Sequence, residues 1–165
     1  MNTTHTSIDT AVGELTLVAE AGRLSGVYFP GHWTRPDPGT FGERVDSGFE
    51  QAELQLHEYL AGERTVFELP TAAAGDGFRR AVWARLDRIP YGRTVTYGEI
   101  AAELGSPSLA RKVGGAVAHN PLSIVVPCHR VVGKDGKLTG YAGGLERKQF
   151  LLELEGADGM LRLAS

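Results

Sequence analysis

Apolar and polar positions alternate in short runs over the first thirty residues, Ser7 to Thr10, Glu14 to Ala19 and Leu24 to Phe29, with breaks at Gly13 and Ala21-Gly22. A period of two broken by turn residues predicts a hairpin or meander of strands. Pro30 to Gly42 reads as a loop. The period then changes: Val45, Phe49, Ala52, Leu56 and Tyr59 fall at steps of four and three, one apolar helix face, and Gly62 stands where that helix would stop. Val66 to Leu69 is a candidate return to the sheet, and the small residues Thr71 to Gly77 read as a linker. Beyond it, Phe78, Val82, Leu86 and Ile89 mark a helix ending before Pro90-Tyr91-Gly92. Two more helices, Tyr97 to Leu104 and Leu109 to His119, are joined by Gly105-Ser106-Pro107-Ser108, a turn that suits a helix-turn-helix with Ser108 as the N-cap of the second helix. The expected fold is an α/β N-terminal domain, a small sheet plus helix over 1–75, and a mostly α-helical C-terminal domain over 76–165 containing the helix-turn-helix.

Charge sharpens this division. Residues 1–75 hold four arginines against eleven acids, whereas residues 76–150 hold twelve lysines and arginines against six acids, within a net charge of −3. A basic segment carried by an acidic one is compatible with a polyanionic partner or with an ordinary solvated face. No apolar run approaches the length of a membrane span and Met1 to Thr10 lacks a basic-then-apolar leader, so a cytoplasmic protein is expected; separately, the protein is expected to be monomeric. The second helix of the pair is unusual, because Gly114-Gly115 at its middle costs about 1 kcal/mol per glycine relative to alanine. Ala110, Gly114 and Ala118 share a smooth face that lets either another helix or a groove come close.

The chain has one cysteine, which excludes an internal disulfide and a cysteine-based zinc cluster. Ile124-Val125-Val126 leads into Pro127-Cys128-His129-Arg130, where a thiol beside an imidazole and a guanidinium is placed to favour thiolate, although a lone cysteine is commonly an inert core residue.

Pro127-Cys128-His129-Arg130-Val131, preceded by Gly114-Gly115 and Asn120-Pro121 and followed by Gly140-Tyr141-Ala142-Gly143-Gly144-Leu145, resembles the O6-alkylguanine-DNA alkyltransferase family. The likeness runs over about residues 76 to 156 and includes Tyr97 in Val95-Thr96-Tyr97-Gly98-Glu99 and Arg111 in Ala110-Arg111-Lys112-Val113. It implies a protein that flips O6-alkylguanine out of duplex DNA from the minor groove and moves the alkyl group irreversibly onto its own cysteine, each molecule acting once with no metal or organic cofactor. On this resemblance Cys128 is the nucleophile, His129 its base through a water, and Glu155 the carboxylate that orients the imidazole. Tyr97 donates to the ring of the departing guanine, and Asn120 braces the site. Arg111 fills the vacated stack, while Ala110, Gly114, Gly115 and Ala118 meet the DNA. Val131, Tyr141 and Ala142 line the substrate pocket, Ala142 standing where some relatives carry a serine. Relatives that bind zinc use N-terminal cysteines, which this chain lacks before Cys128, so His5, His32 and His57 read as ordinary surface histidines. Without the resemblance, a Cys-His-Glu hydrolase and a sequence-specific DNA regulator compete with this reading.

Overall fold

The computed structural model describes residues 2–157 and the backbone of residues 162–163. Strands β1 (Thr3–Thr10), β2 (Gly13–Glu20) and β3 (Arg23–Tyr28) form an antiparallel meander, and the short β4 (Glu43–Arg44) adds in parallel to β1, giving the order β3-β2-β1-β4. Ile8 faces Leu15 across the first hairpin. The second turn is Ala21-Gly22, both at positive φ (50° and 80°), the paired left-handed conformation that matches the twist of two-residue hairpins. Leu15, Leu17, Val27 and Phe29 bury one sheet face in a core shared with Leu56 and Tyr59 of α1 (Glu50–Leu60). On the other face Val18 and Tyr28 are covered by Phe41, whose ring stacks on Tyr28 at 5.4 Å.

Two local expectations fail for identifiable reasons. Val66 to Leu69 does not rejoin the sheet, because the Gln55 side chain takes up the Glu68 backbone, accepting from its N–H at 2.8 Å and donating to its carbonyl at 3.2 Å. The chain meets β3 slightly later, where Pro70 and Ala72 bracket Leu24. His32 is not a surface residue: it is 5% exposed, and its Nδ1 accepts from the Phe29 N–H. Burial lowers its pKa to about 4.

Beyond the linker, α2 (Gly77–Leu86) is capped by Asp76, whose carboxylate accepts from the Arg79 N–H. Strand β5 (Val95–Thr96) leads into α3 (Tyr97–Glu103), which opens with a capping box between Thr96 and Glu99. A 3₁₀ turn over Pro107–Leu109 runs directly into α4 (Ala110–Ala118). Ser108 is therefore not the cap of α4. The chain already winds helically there, and Ser106 caps the short turn instead by accepting from the Ser108 N–H. α4 packs by Val113, Ala116 and Val117, and Trp83 of α2 donates its indole N–H to the Ala116 carbonyl at 2.8 Å. After α4, the Val27 N–H donates to the Pro121 carbonyl, fastening the next turn to the sheet edge. Strand β6 (Val131–Val132) pairs with β5 in parallel. Strand β7 (Lys137–Leu138), α5 (Leu145–Leu154) and β8 (Arg162–Leu163), which pairs with β7, follow. One apolar core runs from Ile8 through Ile100 and Val113 to Leu151. Among the described residues no helix is long and apolar enough to cross a membrane.

Candidate active site

The segment before Cys128 is a braced turn, not a strand. The Asn120 side chain accepts from the Leu122 N–H at 3.0 Å and donates to the Val126 carbonyl at 2.9 Å. Inside that bracket Ile124 sits at φ +72°, a strained conformation for a β-branched residue and one that persists only where surroundings impose it. Cys128, His129 and Arg130 then wind one 3₁₀ turn, so successive side chains diverge by about 120° instead of alternating between two faces. Because β6 lies beside β5, this turn is held next to Tyr97 at the start of α3.

Cys128 is 5% exposed and His129 wholly buried. The His129 Nε2 lies 2.8 Å from Glu155 Oε2, and its Nδ1 has no hydrogen-bond partner among the described residues. Glu155, just past the end of α5, is gripped from several sides. Arg130 Nε donates to its Oε1 at 2.8 Å and Nη2 to its Oε2 at 2.9 Å, while Nη1 donates to the Ile89 carbonyl. The Tyr59 hydroxyl of α1 also donates to Oε2. Although burial opposes ionisation of Glu155, the bonds from His129 and Arg130 outweigh it and hold the carboxyl near 2. Burial keeps the His129 imidazole below its usual range, opposed by the bond and charge of Glu155 and assisted by the charges of Arg130 and Lys148. The result is a neutral imidazole with Nε2 committed and Nδ1 free to accept a proton.

Burial pushes the Cys128 thiol up, opposed by the Asn120 side chain, the charge of Lys148 and the Tyr141 hydroxyl. The expectation that the neighbouring guanidinium favours thiolate is thereby corrected: Arg130 is spent on Glu155, and the cation acting on the thiol is Lys148. Lys148 is wholly buried with its Nζ donating to the Thr139 carbonyl at 2.8 Å, and burial lowers its pKa to about 8. The Tyr97 hydroxyl donates to the same Thr139 carbonyl at 3.3 Å, and burial raises its pKa to about 12. Tyr141 packs edge-on against Phe29, its hydroxyl making no bond to nitrogen or oxygen among the described residues. Val131 is fully buried in the core, whereas Ala142 is half-buried.

Arg111 is well apart in character. It is exposed near the N-terminus of α4, and Ala110, Gly114 and Ala118 are half-buried along that helix. A Cβ on Gly114 would lie 3.9 Å from the Tyr97 ring, so α4 adjoins the site there. A Cβ on Gly115 would meet nothing within 4 Å. Neither glycine is demanded by close packing of another helix. Among the described residues no cluster of three or more His, Cys, Asp or Glu could hold a metal ion.

Lys148 and Tyr59 carry roles in this geometry that the sequence did not announce. Tyr59 registers only as one apolar helix position. Lys148 lies seven residues before Glu155, about two helical turns and hence one face of α5, a spacing that points inward once Glu155 is in the site.

Comparison with known proteins agrees over both halves of the chain. Residues 4–73 match the 6-O-methylguanine DNA methyltransferase ribonuclease-like domain, and residues 77–157 match the DNA-binding domain of the same family. The methylated-DNA–protein-cysteine methyltransferase of Mycobacterium tuberculosis is 47% identical over 159 residues, covering 92% of this chain and 91% of that protein. The constitutive methylated-DNA–protein-cysteine methyltransferase of Bacillus subtilis is 42% identical over 156 residues, covering 92% and 94%. The crystal structure of Mycobacterium tuberculosis OGT in complex with DNA superposes with a TM-score of 0.85 at 44% identity, covering 93% of this chain and 92% of that one. The chain belongs to the 6-O-methylguanine DNA methyltransferase family.

Proposed function

We propose that this protein is a methylated-DNA–protein-cysteine methyltransferase that repairs DNA by direct reversal, binding a duplex that carries O6-alkylguanine and moving the alkyl group to Cys128. The observation that carries the reading is the buried Cys128 beside a neutral His129 whose Nε2 is held by Glu155 and whose Nδ1 has no partner among the described residues. Such an imidazole takes the thiol proton through a bridging water, and the charge of Lys148 favours the resulting thiolate. The sulfur electron pair forms the new S–C bond as the C–O6 bond breaks, and that bond's electron pair passes to the guanine. Tyr97 turns its hydroxyl from the Thr139 carbonyl to the guanine ring nitrogen and stabilises the leaving base. Asn120 keeps the Cys128 turn in place, Tyr141 and Ala142 face the base, and Val131 backs the pocket from the core. The product is a thioether, which none of these groups can hydrolyse, so each molecule acts once without cofactor or metal.

The DNA side of the proposal rests on α3, the Pro107–Leu109 turn and α4 acting as a helix-turn-helix laid into the minor groove. Ala110, Gly114, Gly115 and Ala118 leave the backbone of α4 bare enough for close approach, which accounts for a glycine at 115 that no internal contact requires. Arg111 and Lys112 stand in the first helical turn, where the helix dipole disfavours cations, an arrangement that a polyanionic partner relieves. Arg111 enters the stack as the damaged base leaves it, since a planar cation both stacks and donates. Residues 1–75 and 76–165 act as the two domains of a cytoplasmic, monomeric protein.

The test is the intact mass of the protein after incubation with a duplex containing O6-methylguanine. A gain of one methylene, mapped to Cys128, is expected; an unchanged mass with unrepaired duplex would refute the proposal.

A further inference from the structure

The two halves of the chain meet on one oxygen atom. Glu155 Oε2 accepts from His129 and Arg130, which lie on the cysteine turn, and from the Tyr59 hydroxyl, which α1 brings from 96 residues away. The same hydroxyl lies 3.3 Å from His129 Nε2. Tyr59 is wholly buried, with its ring against Phe67 and Tyr91, so water cannot replace these contacts. Burial and the charge of Glu155 push its ionisation far up, so it stays a phenol and a donor. Leu56 and Leu60 on the same helix fill the core without a polar atom. The Tyr59 oxygen is therefore not explained by packing.

We propose that Tyr59 is a positioning residue for the alkyl transfer: its hydroxyl holds Glu155 Oε2 beside His129 Nε2, and thereby fixes the imidazole orientation that leaves Nδ1 to accept a proton. The N-terminal half thus completes the proton relay of the C-terminal half. The inference rests on the Cys128–His129–Glu155 reading above. Two consequences follow from the bond. Without it the carboxylate and ring gain freedom to turn, and a misplacement of about 1 Å in such a group can cost on the order of 100-fold in rate. Tyr59 also draws charge from Oε2; without it Glu155 stabilises the imidazolium more strongly and His129 holds its proton to higher pH.

The experiment compares the full-length parent, Tyr59→Phe and Leu56→Ala. It records methyl transfer from an O6-methylguanine duplex, and the pH dependence of Cys128 alkylation by iodoacetamide. Tyr59→Phe is expected to slow transfer at least tenfold at neutral pH, to move the lower limb of the pH profile upward, and to keep duplex affinity within about twofold. Leu56→Ala loosens the same packing without touching the carboxylate, and is expected to lose stability while keeping the parental pH profile. A Tyr59→Phe protein with parental rate and profile overturns the proposal. So does a Leu56→Ala protein whose profile moves as far, since the role of Tyr59 would then be structural. A parent that transfers no methyl group condemns instead the underlying functional reading.

Discussion

Residues 1–75 carry almost three acids for every base, whereas residues 76–150 carry two bases for every acid. At physiological salt, charges separated by more than about 8 Å are largely screened, so the acidic half repels a duplex only where it comes near. On the proposed reading, its charge disfavours phosphates near that face, and α4, with Arg111 and Lys112, is the side that DNA approaches. Yet the acidic half is more than a solubilising cap. Its β3 edge holds the Pro121 turn that leads to Cys128, and its α1 delivers the Tyr59 hydroxyl to Glu155. Charge sets the halves apart, while buried hydrogen bonds join them at Glu155 and at the turn before Cys128.

The largest expected effect lies wholly in the basic half. Cys128→Ser removes the only atom able to hold the alkyl group, so transfer should vanish while duplex affinity stays within a few-fold of the parent. Methyl transfer retained by this variant, or binding lost with it, would merge two roles held apart here. Next comes Glu155→Gln, which leaves the Arg130 charge buried and uncompensated at a cost of about 3–5 kcal/mol. Denaturant unfolding should show that loss, and Cys128 alkylation should slow in the same protein. A stability unchanged within error would mean that Arg130 is not held by this carboxylate.

Arg111→Ala sharpens the comparison between recognition and chemistry. It should slow repair of duplex O6-methylguanine by about an order of magnitude, through the few kcal/mol that extrusion costs. Free O6-benzylguanine has no stack to leave, and its reaction should be nearly unaffected; equal losses on both substrates would assign Arg111 to the fold or pocket.

Acid titration reads buried groups in both halves through stability. His32 is held neutral in the N-terminal half, with its folded pKa near 4 against the ordinary 6.5, so stability should fall as pH drops between those values. Glu155 in the C-terminal half is held near 2 against 4.5; its contribution is complete above 4.5 and lost toward 2. Unfolding midpoints against pH should therefore show two limbs; His129, which burial also holds below its usual range, adds to the upper one, so His32→Gln should flatten that limb in part and leave the lower one unchanged. A single limb, or no change in that variant, would refute the assignment. The smallest effect is expected at Ala21, where φ is +50°: Ala21→Asn should stabilise the hairpin by a few tenths of a kcal/mol, measured by thermal unfolding.

The parts legible in the sequence were those written in local chemistry. Gly13 and Ala21-Gly22 punctuate the strands because their backbone is turned there, and the steps from Phe49 to Tyr59 trace a helix face that is in fact buried. The Thr96–Glu99 capping box is equally local, its two partners three residues apart in sequence. What stayed hidden depends on long-range replacement of one partner by another. A side-chain amide on Gln55 takes the place of a strand for Glu68, and a carboxylate 25 residues away claims the guanidinium of Arg130. Lys148 is invisible for the same reason, since nothing adjacent to it in sequence says that its charge acts on Cys128. The site residues named by motif lie where the chain is densest in short-range signals, whereas the only local signal at Tyr59 is that of an apolar helix face.

The central claim is that one cysteine accepts one alkyl group and cannot pass it on. It is tested most directly by offering the parent protein an excess of duplex carrying isotopically labelled O6-methylguanine and following label on protein until it stops rising. The account predicts a plateau at one methyl group per chain, all of it on Cys128, with restored guanine in equal amount. Repair that continues beyond one equivalent, or label released to solution as a small product, would contradict it.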